Sequence, residues 1–504
     1  MNRSSLFVFM TFLLSGQFAL GQQKKYTPRI EPCDCRFKID PDFVKIAPPK
    51  LKADVLLPFG KIDSSFKTRC GYLVVPENRN KKTSKLIKLP FIVVESKNPN
   101  KKKDPILFTG GGPGTSSLDW VFGITKSPMI KERDCIVLEQ RGTRWALPYI
   151  RNFELDSAIR ESYRKNLAKD SMVYAAVKRY KKRLETRGVD LSGYNTDETV
   201  SDIHDLLSVL KIDSVNLSGI SYSGGLMMAV LQRDPAKVRS LVLDSPLPMF
   251  IPIDEDEPAN FNEALTVLFR HVEQDSTNKA LYGNLKQKFR DYFTSITGKV
   301  FVQPYLEQGT RDSINIQYTK NELLSVIESA IFDDSKRKHL AFMITDMIAG
   351  HHSVYVKQKL DGIFNRNPAP DGMRISVYCA DEAAYHNQHV IEQLYKTYPY
   401  MAGYRINDVY PAVCDCWKVP PVNPVTKQAF YSDKPVLLGD GEMDPGCRPL
   451  YIDLIHHYLP NSQRFLFLNR AHGVYGKDWA NLVTQFLDNP YKQAVTDNKN
   501  IIAY

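Results

Sequence analysis

Long apolar segments are scarce in this 504-residue chain. One run, Leu6 to Leu14, lies near the N-terminus, and no later run approaches the ~20 residues that a membrane-spanning helix needs. Stable membrane insertion is therefore not expected. Metal-binding spacing is scarce too: eight cysteines are present, but none forms a Cys-x-x-Cys knuckle. The two Cys-x-Cys pairs, Cys33/Cys35 and Cys414/Cys416, fit zinc poorly, and no metal or organic cofactor is expected. The one glycine-rich loop is not followed by Lys-Ser/Thr, which argues against a phosphate-cradling P-loop. Basic and aromatic residues are not interleaved and no internal repeat is visible, so nucleic acid is not an expected partner.

What is present starts with a leader. Arg3, the apolar run and Ala19-Leu20-Gly21 before Gln22 read as a secretory signal peptide over residues 1–21, without a cysteine for lipid anchoring at the cleavage site. The mature chain is expected to be exported, to a periplasm or the extracellular space. Disulfides persist there. Pairing within a Cys-x-Cys is strained, so Cys70 is expected to join Cys33 or Cys35, and Cys379 to join Cys414 or Cys416. Cys447 is a partner for a remaining thiol, and Cys135, opening an apolar strand, is expected to be reduced. The net charge of +11 is largely local. Lys81, Lys82, Lys85, Lys88 and Lys101 to Lys103 flank one apolar strand and read as solvated hairpin ends.

The segment Ile212 to Leu217 reads as a strand, and Leu226 to Leu231 as a helix. Between them lies Ser218-Gly219-Ile220-Ser221-Tyr222-Ser223-Gly224-Gly225. A strand-to-helix turn of small residues is where α/β-hydrolases mount a nucleophilic serine, here Ser221. The pattern is G-x-S-x-S, with Ser223 at the position usually held by glycine. An acid and a histidine should follow in that order. Lys434 to Pro445 reads as a buried strand entering a turn, with Asp444 the candidate acid and Asp440 and Glu442 its rivals. Strand Gln463 to Leu468 then delivers His472, with Gly473 beside it, as the general base. Before the serine, strand Asp104 to Thr109 opens into Gly110-Gly111-Gly112-Pro113-Gly114. Its Gly111 or Gly112 N–H, with that of Tyr222, would form the oxyanion hole.

These segments, with Glu139-Gln140-Arg141-Gly142 between them, resemble the prolyl and tripeptidyl aminopeptidase family of serine exopeptidases over Cys70 to Phe486. Gly110 and Glu139 stand where that family has His and Asp. The resemblance implies an α/β-hydrolase fold with a mostly parallel central sheet and an inserted, mainly helical cap. The expected layout is 22–248 for the first part of the core, 249–422 for the cap and 423–504 for the rest of the core. Asn195 caps a helix with Glu198 three residues on, and the charged stretch Asn152 to Arg187 is expected as an exposed helical excursion.

An aminopeptidase must hold a protonated α-amine, and a buried ammonium needs carboxylates around it. The resemblance implies cap glutamates in that role. Asp381-Glu382, after a strand-like run, is the favoured pair, with Glu139, Glu255 and Glu257 as rivals. The expected activity is acyl transfer from short peptides with a free N-terminus, of prolyl, dipeptidyl or tripeptidyl type. The same triad would equally serve a carboxylic-ester hydrolase, an esterase or lipase with an apolar cap pocket.

Overall fold

The computed structural model describes residues 26–367 and 369–504; the signal peptide expected over 1–21 lies outside them. Short runs rich in Val, Ile and Leu form the centre of a sheet. In chain order the strands are β1 (Arg29–Cys33), β2 (Thr68–Pro76), β3 (Leu86–Val94), β4 (Ile106–Thr109), β5 (Cys135–Leu138), β6 (Val215–Ile220) and β7 (Val238–Asp244). A separate hairpin, β8 (Phe301–Leu306) and β9 (Ser313–Tyr318), precedes β10 (Val436–Gly441), β11 (Ser462–Phe467) and β12 (Ile501–Ala503). Ten strands make one sheet in the order β1-β2-β3-β5-β4-β6-β7-β10-β11-β12. Pairing is parallel from β5 through β11 and antiparallel at both edges. All residues of β5 and β10 are buried, as expected for parallel strands covered by helices on both faces. This is the α/β-hydrolase fold expected from the sequence. Among the described residues no helix is long and apolar enough to cross a membrane.

Helix Thr196–Val209 starts where Asn195 accepts a hydrogen bond from the Glu198 N–H at 3.0 Å. Between β7 and β10 the chain leaves the sheet and builds a second apolar core from helices Ile253–Gln274, Leu285–Ser295, Lys320–Phe332, Leu340–Ile348 and Ser353–Asn365. The β8–β9 hairpin interrupts the expected helical run.

Two expectations are corrected. The run before Cys379 is a helix, Gly372–Asp381, not a strand; it packs into the main core beside Tyr180 and Trp417. The charged stretch after Asn152 is not an exposed excursion. Helix Lys169–Thr186 buries Val173, Ala176, Val177, Tyr180 and Leu184 along one face, while its charges line the other. Helix Glu154–Arg164 reaches the hairpin, where Arg164 donates to Glu307 at 2.6 and 2.9 Å.

Disulfides join Cys35 to Cys70 and Cys379 to Cys414, one choice from each expected pair. Cys135 is a buried free thiol. The expectation of a partner for Cys447 fails, because that residue is buried, unpaired and in the wall of the central cavity. Two disulfides fit an oxidising compartment.

Candidate active site

Ser221 sits between the end of β6 and helix Tyr222–Arg233, with φ 58° and ψ −131°. A non-glycine residue in that region stores backbone strain and persists only where its surroundings hold it. Here the Ser221 N–H donates to the Asp244 carbonyl at 3.0 Å, and its carbonyl accepts from Gly224 and Leu247 at 2.8 and 3.0 Å. The turn is so tight that a Cβ on Gly219 would lie 2.4 Å from the Ser223 carbonyl oxygen. Ser223, the departure from the usual motif, is fully buried, and its hydroxyl is hydrogen-bonded to Thr109 at the end of β4. Gly219 provides the clearance before the serine, Ser223 suffices two residues after it, and Gly224 and Gly225 let the helix pass Pro246 and Leu247, where an added Cβ would lie at 2.6 and 2.4 Å.

His472 follows β11, and its Nδ1 lies 2.7 Å from Oδ2 of Asp444. The other Asp444 oxygen accepts from the Gly446 and Cys447 N–H groups at 2.7 and 2.9 Å, so both carboxylate oxygens are engaged. Burial pushes the imidazole pKa down, but the Asp444 carboxylate, aided by Asp244, more than offsets this and holds it above the ordinary value. The rivals for the acid are placed elsewhere. Glu442 pairs with Arg270 at 2.6 Å, and Asp440 is buried with one oxygen on the Gly441 N–H. A feature missed in the sequence anchors the histidine loop at the end of β7. Ser245 accepts from the Gly473 N–H at 2.9 Å, and Asp244 from that of Val474 at 2.8 Å.

The glycine loop after β4 lies against the serine: a Cβ on Gly111 would meet the Ile220 carbonyl oxygen at 2.6 Å and Ser221 Cβ at 2.9 Å. Gly112 and Tyr222 line the same space. The loop is gripped from below. Gln140 Nε2 donates to the Gly110 carbonyl at 2.6 Å, and the Gly110 N–H donates to Ser117 Oγ at 2.9 Å. Glu139 accepts from Ser116 Oγ, Leu118 N–H, Thr143 Oγ1 and Trp145 N–H, at 2.7 to 3.2 Å. Burial pushes its carboxyl up to about 7, against the pull of those donors. Arg141 is fully buried and holds Asp202 at 2.7 and 2.8 Å. Glu139, expected as a rival for the substrate amine, therefore lies beneath the loop with its acceptors occupied.

Ser221, His472 and the glycine loop open into one cavity of about 500 Å³. Its far wall comes from the helices beyond β7 and carries three carboxylates, Glu257, Glu328 and Glu382. Glu382 is already paired with the buried Lys427 at 2.9 Å. Among the described residues Glu257 and Glu328 make no ion pair, although Arg374 pulls on the first and Lys359 on the second from farther off. Burial raises both: Glu257 goes well above the carboxylate range, helped by Asp254 and Glu328, and Glu328 rises to about 7 while accepting from Tyr404. Arg374 borders them and ties the cap to the loop by donating to the Gly112 carbonyl at 2.8 Å. Asp381 is not in the cavity. It lies behind Tyr222, bonded to Thr196, whose hydroxyl also contacts Tyr222 Oη at 2.7 Å, and burial pushes it up to about 8. Glu255 faces outward and accepts from the Asn387 N–H at 2.5 Å. Among the described residues no group of three or more His, Cys, Asp or Glu is arranged to hold a metal ion.

Two family models match parts of the chain. Residues 104–294 match the α/β hydrolase fold family, and residues 398–499, which carry Asp444 and His472, match the TAP-like protein family. The fold is that of an α/β hydrolase, and its C-terminal segment is similar to the TAP-like proteins. No curated protein matches it. Similar solved structures include a proline iminopeptidase from Mycobacterium smegmatis, 13% identical, covering 83% of this chain and 98% of its own, with a TM-score of 0.36. A serine hydrolase from Cycloclasticus zankles has the same identity, coverage and TM-score. An epoxide hydrolase from Bacillus megaterium, also 13% identical, covers 83% of this chain and 100% of its own, with a TM-score of 0.36. In this hydrolase the segments before and after the cap thus supply the serine and the acid–histidine pair, and the cap closes over them.

Proposed function

We propose that this hydrolase is an exported serine aminopeptidase that cleaves short peptides from a free N-terminus through an acyl-enzyme. The observation that carries the reading is the pair Glu257 and Glu328, two carboxylates that make no ion pair among the described residues, in the wall of the cavity that holds Ser221 and His472. A buried carboxylate pair of this kind is costly until a cation joins it, and the α-ammonium of a peptide supplies that cation. Glu382 is set aside because Lys427 already neutralises it.

In this reading His472, with Nδ1 held by Asp444, takes the Ser221 proton on Nε2 as Oγ attacks the scissile carbonyl. The N–H groups of Tyr222 and of Gly111 or Gly112 receive the oxyanion. His472 passes the proton to the leaving amine, and water then releases the acyl group by the same route. The two disulfides and the leader-like residues 1–21 support export.

The test is cleavage of defined peptides, each with a free or an acetylated N-terminus, read by mass spectrometry with Ser221→Ala alongside. Loss of N-terminal residues from the free peptides alone, abolished in the variant, is expected. Equal cleavage of acetylated peptides would sink the amine-binding assignment. Turnover of simple esters with no peptide cleaved would favour the esterase.

A further inference from the structure

The glycine loop is held from the core by Gln140 and Ser117, and from the cap by Arg374, in the first turn of helix Gly372–Asp381. Each nitrogen of the Arg374 guanidinium has its own acceptor. Nη1 donates to the Gly112 carbonyl at 2.8 Å, Nε to Asp408 Oδ1 at 2.7 Å and Nη2 to Asn407 Oδ1 at 2.9 Å. The helix also packs on the loop, since a Cβ on Gly114 would lie 3.3 Å from Arg374 Cβ. Asn407 in turn donates its N–H to Glu257 Oε2 at 3.2 Å. A chain of contacts therefore runs from a carboxylate of the cap wall, Glu257, through Asn407 and Arg374 to Gly112, and all of these residues line the catalytic cavity.

The strength of this chain depends on the charge of Glu257. A hydrogen bond to a carboxylate is roughly twice as strong as one to a neutral group. Burial, with Asp254 and Glu328 beside it, drives Glu257 toward its neutral form, and Arg374 opposes this only in part. An ammonium at Glu257 keeps the carboxylate ionised and so strengthens its hold on the Asn407 N–H. Residues 407–408 are then fixed, and with them the Asn407 and Asp408 oxygens that orient the guanidinium on Gly112.

We propose that Arg374 is a positioning residue that carries the binding of the substrate α-amine at Glu257 to the oxyanion loop, so that the amine raises kcat as well as lowering KM. This rests on the reading of Glu257 and Glu328 as the amine site. Binding energy from a non-reacting part of a substrate speeds the chemical step only where it is realised in the transition state. A loop whose oxyanion donors are fully aligned only when the amine is seated meets that condition.

The experiment measures kcat and KM for peptides with a free N-terminus and for des-amino analogues of the same sequence. In the natural chain, removing the amine is expected to raise KM and to lower kcat about tenfold, the size of one net hydrogen bond. Arg374→Met should lower kcat on the free peptide by a similar factor and bring both peptides to the same kcat, with KM for the free peptide still the lower. Arg374→Lys, and guanidinium ion added to Arg374→Met, should each recover part of the kcat on the free peptide, which a merely structural loss would not allow. Asn407→Ala keeps the N–H on Glu257 and removes an acceptor of Arg374, so it should shrink the effect of the amine on kcat in the same way; thermal melting is followed for each variant. If removing the amine from the substrate of the natural chain raises KM and leaves kcat unchanged, the proposal is overturned and the aminopeptidase reading stands. A kcat ratio between the two peptides that survives both Arg374→Met and Asn407→Ala also overturns it. Equal KM for the two peptides in the natural chain refutes the amine site itself.

Discussion

Replacing Gly111 by alanine tests the oxyanion assignment where the structure is least forgiving. The added Cβ would stand 2.6 Å from the Ile220 carbonyl oxygen and 2.9 Å from Ser221 Cβ. Ordinary contacts begin near 3.4 Å, so one backbone must withdraw by about 0.5–0.8 Å. Neither neighbour is a flexible side-chain end that could swing aside. Ile220 is in a strand of the sheet, and Ser221 is tied at both its N–H and its carbonyl. The glycine loop is the part that yields, carrying its N–H away from the developing oxyanion. Loss of one such donor costs about 3 kcal/mol, or about 100-fold in kcat. The assay is kcat and KM on a peptide and on a simple ester, with thermal melting measured in parallel. Gly123→Ala is the control, since nothing lies within 4 Å of the Cβ it would add. A 100-fold drop in kcat on both substrates, with KM little changed, is expected. A kcat within threefold of the natural chain would refute the placement of the oxyanion against this loop.

Two further outcomes follow from the same geometry. Glu139 accepts only from donors, so Glu139→Gln should turn an amide N–H₂ toward them and cost about 1–3 kcal/mol of stability, seen as a lower Tm; an unchanged Tm with a raised KM would return Glu139 to the substrate. The pH profiles of free and acetylated peptides should also differ. Catalysis needs neutral His472, so kcat is lost as pH falls through an imidazole pKa held above the ordinary histidine value. Amine binding needs ionised carboxylates, so KM for a free peptide should climb as pH falls below about 7, where Glu328 takes up a proton. Identical pH dependence of KM for the two peptide forms would refute the role of Glu328.

The sequence by itself determined the parts whose physics is local. A nucleophile turn must have small residues within a few positions of the serine, and Gly219, Ser221 and Ser223 show it in a single stretch. Buried parallel strands are rich in Val, Ile and Leu, which made β4, β5, β6, β7 and β10 legible despite polar residues such as Asn216, Ser240 and Asp440. The acid and histidine loops were readable because each hangs directly from one of these strands. Where packing with distant segments outweighed local preference, reading failed. The run before Asp381, with its β-branched residues, looked like a strand, yet helical packing against Tyr180 and Trp417 prevails. Helix Lys169–Thr186 looked exposed by composition, yet its apolar residues fall on a single buried face. Which carboxylates face the cavity was set by tertiary structure alone. Glu257 and Glu328 lie on different helices, and only the fold of the cap brings both into the wall of one cavity. The same fold removes Glu139 and Asp381 behind the wall and neutralises Glu382 with Lys427. Charge in a sequence is a residue type; whether it is spent on a partner or left for a ligand is a property of three-dimensional neighbours.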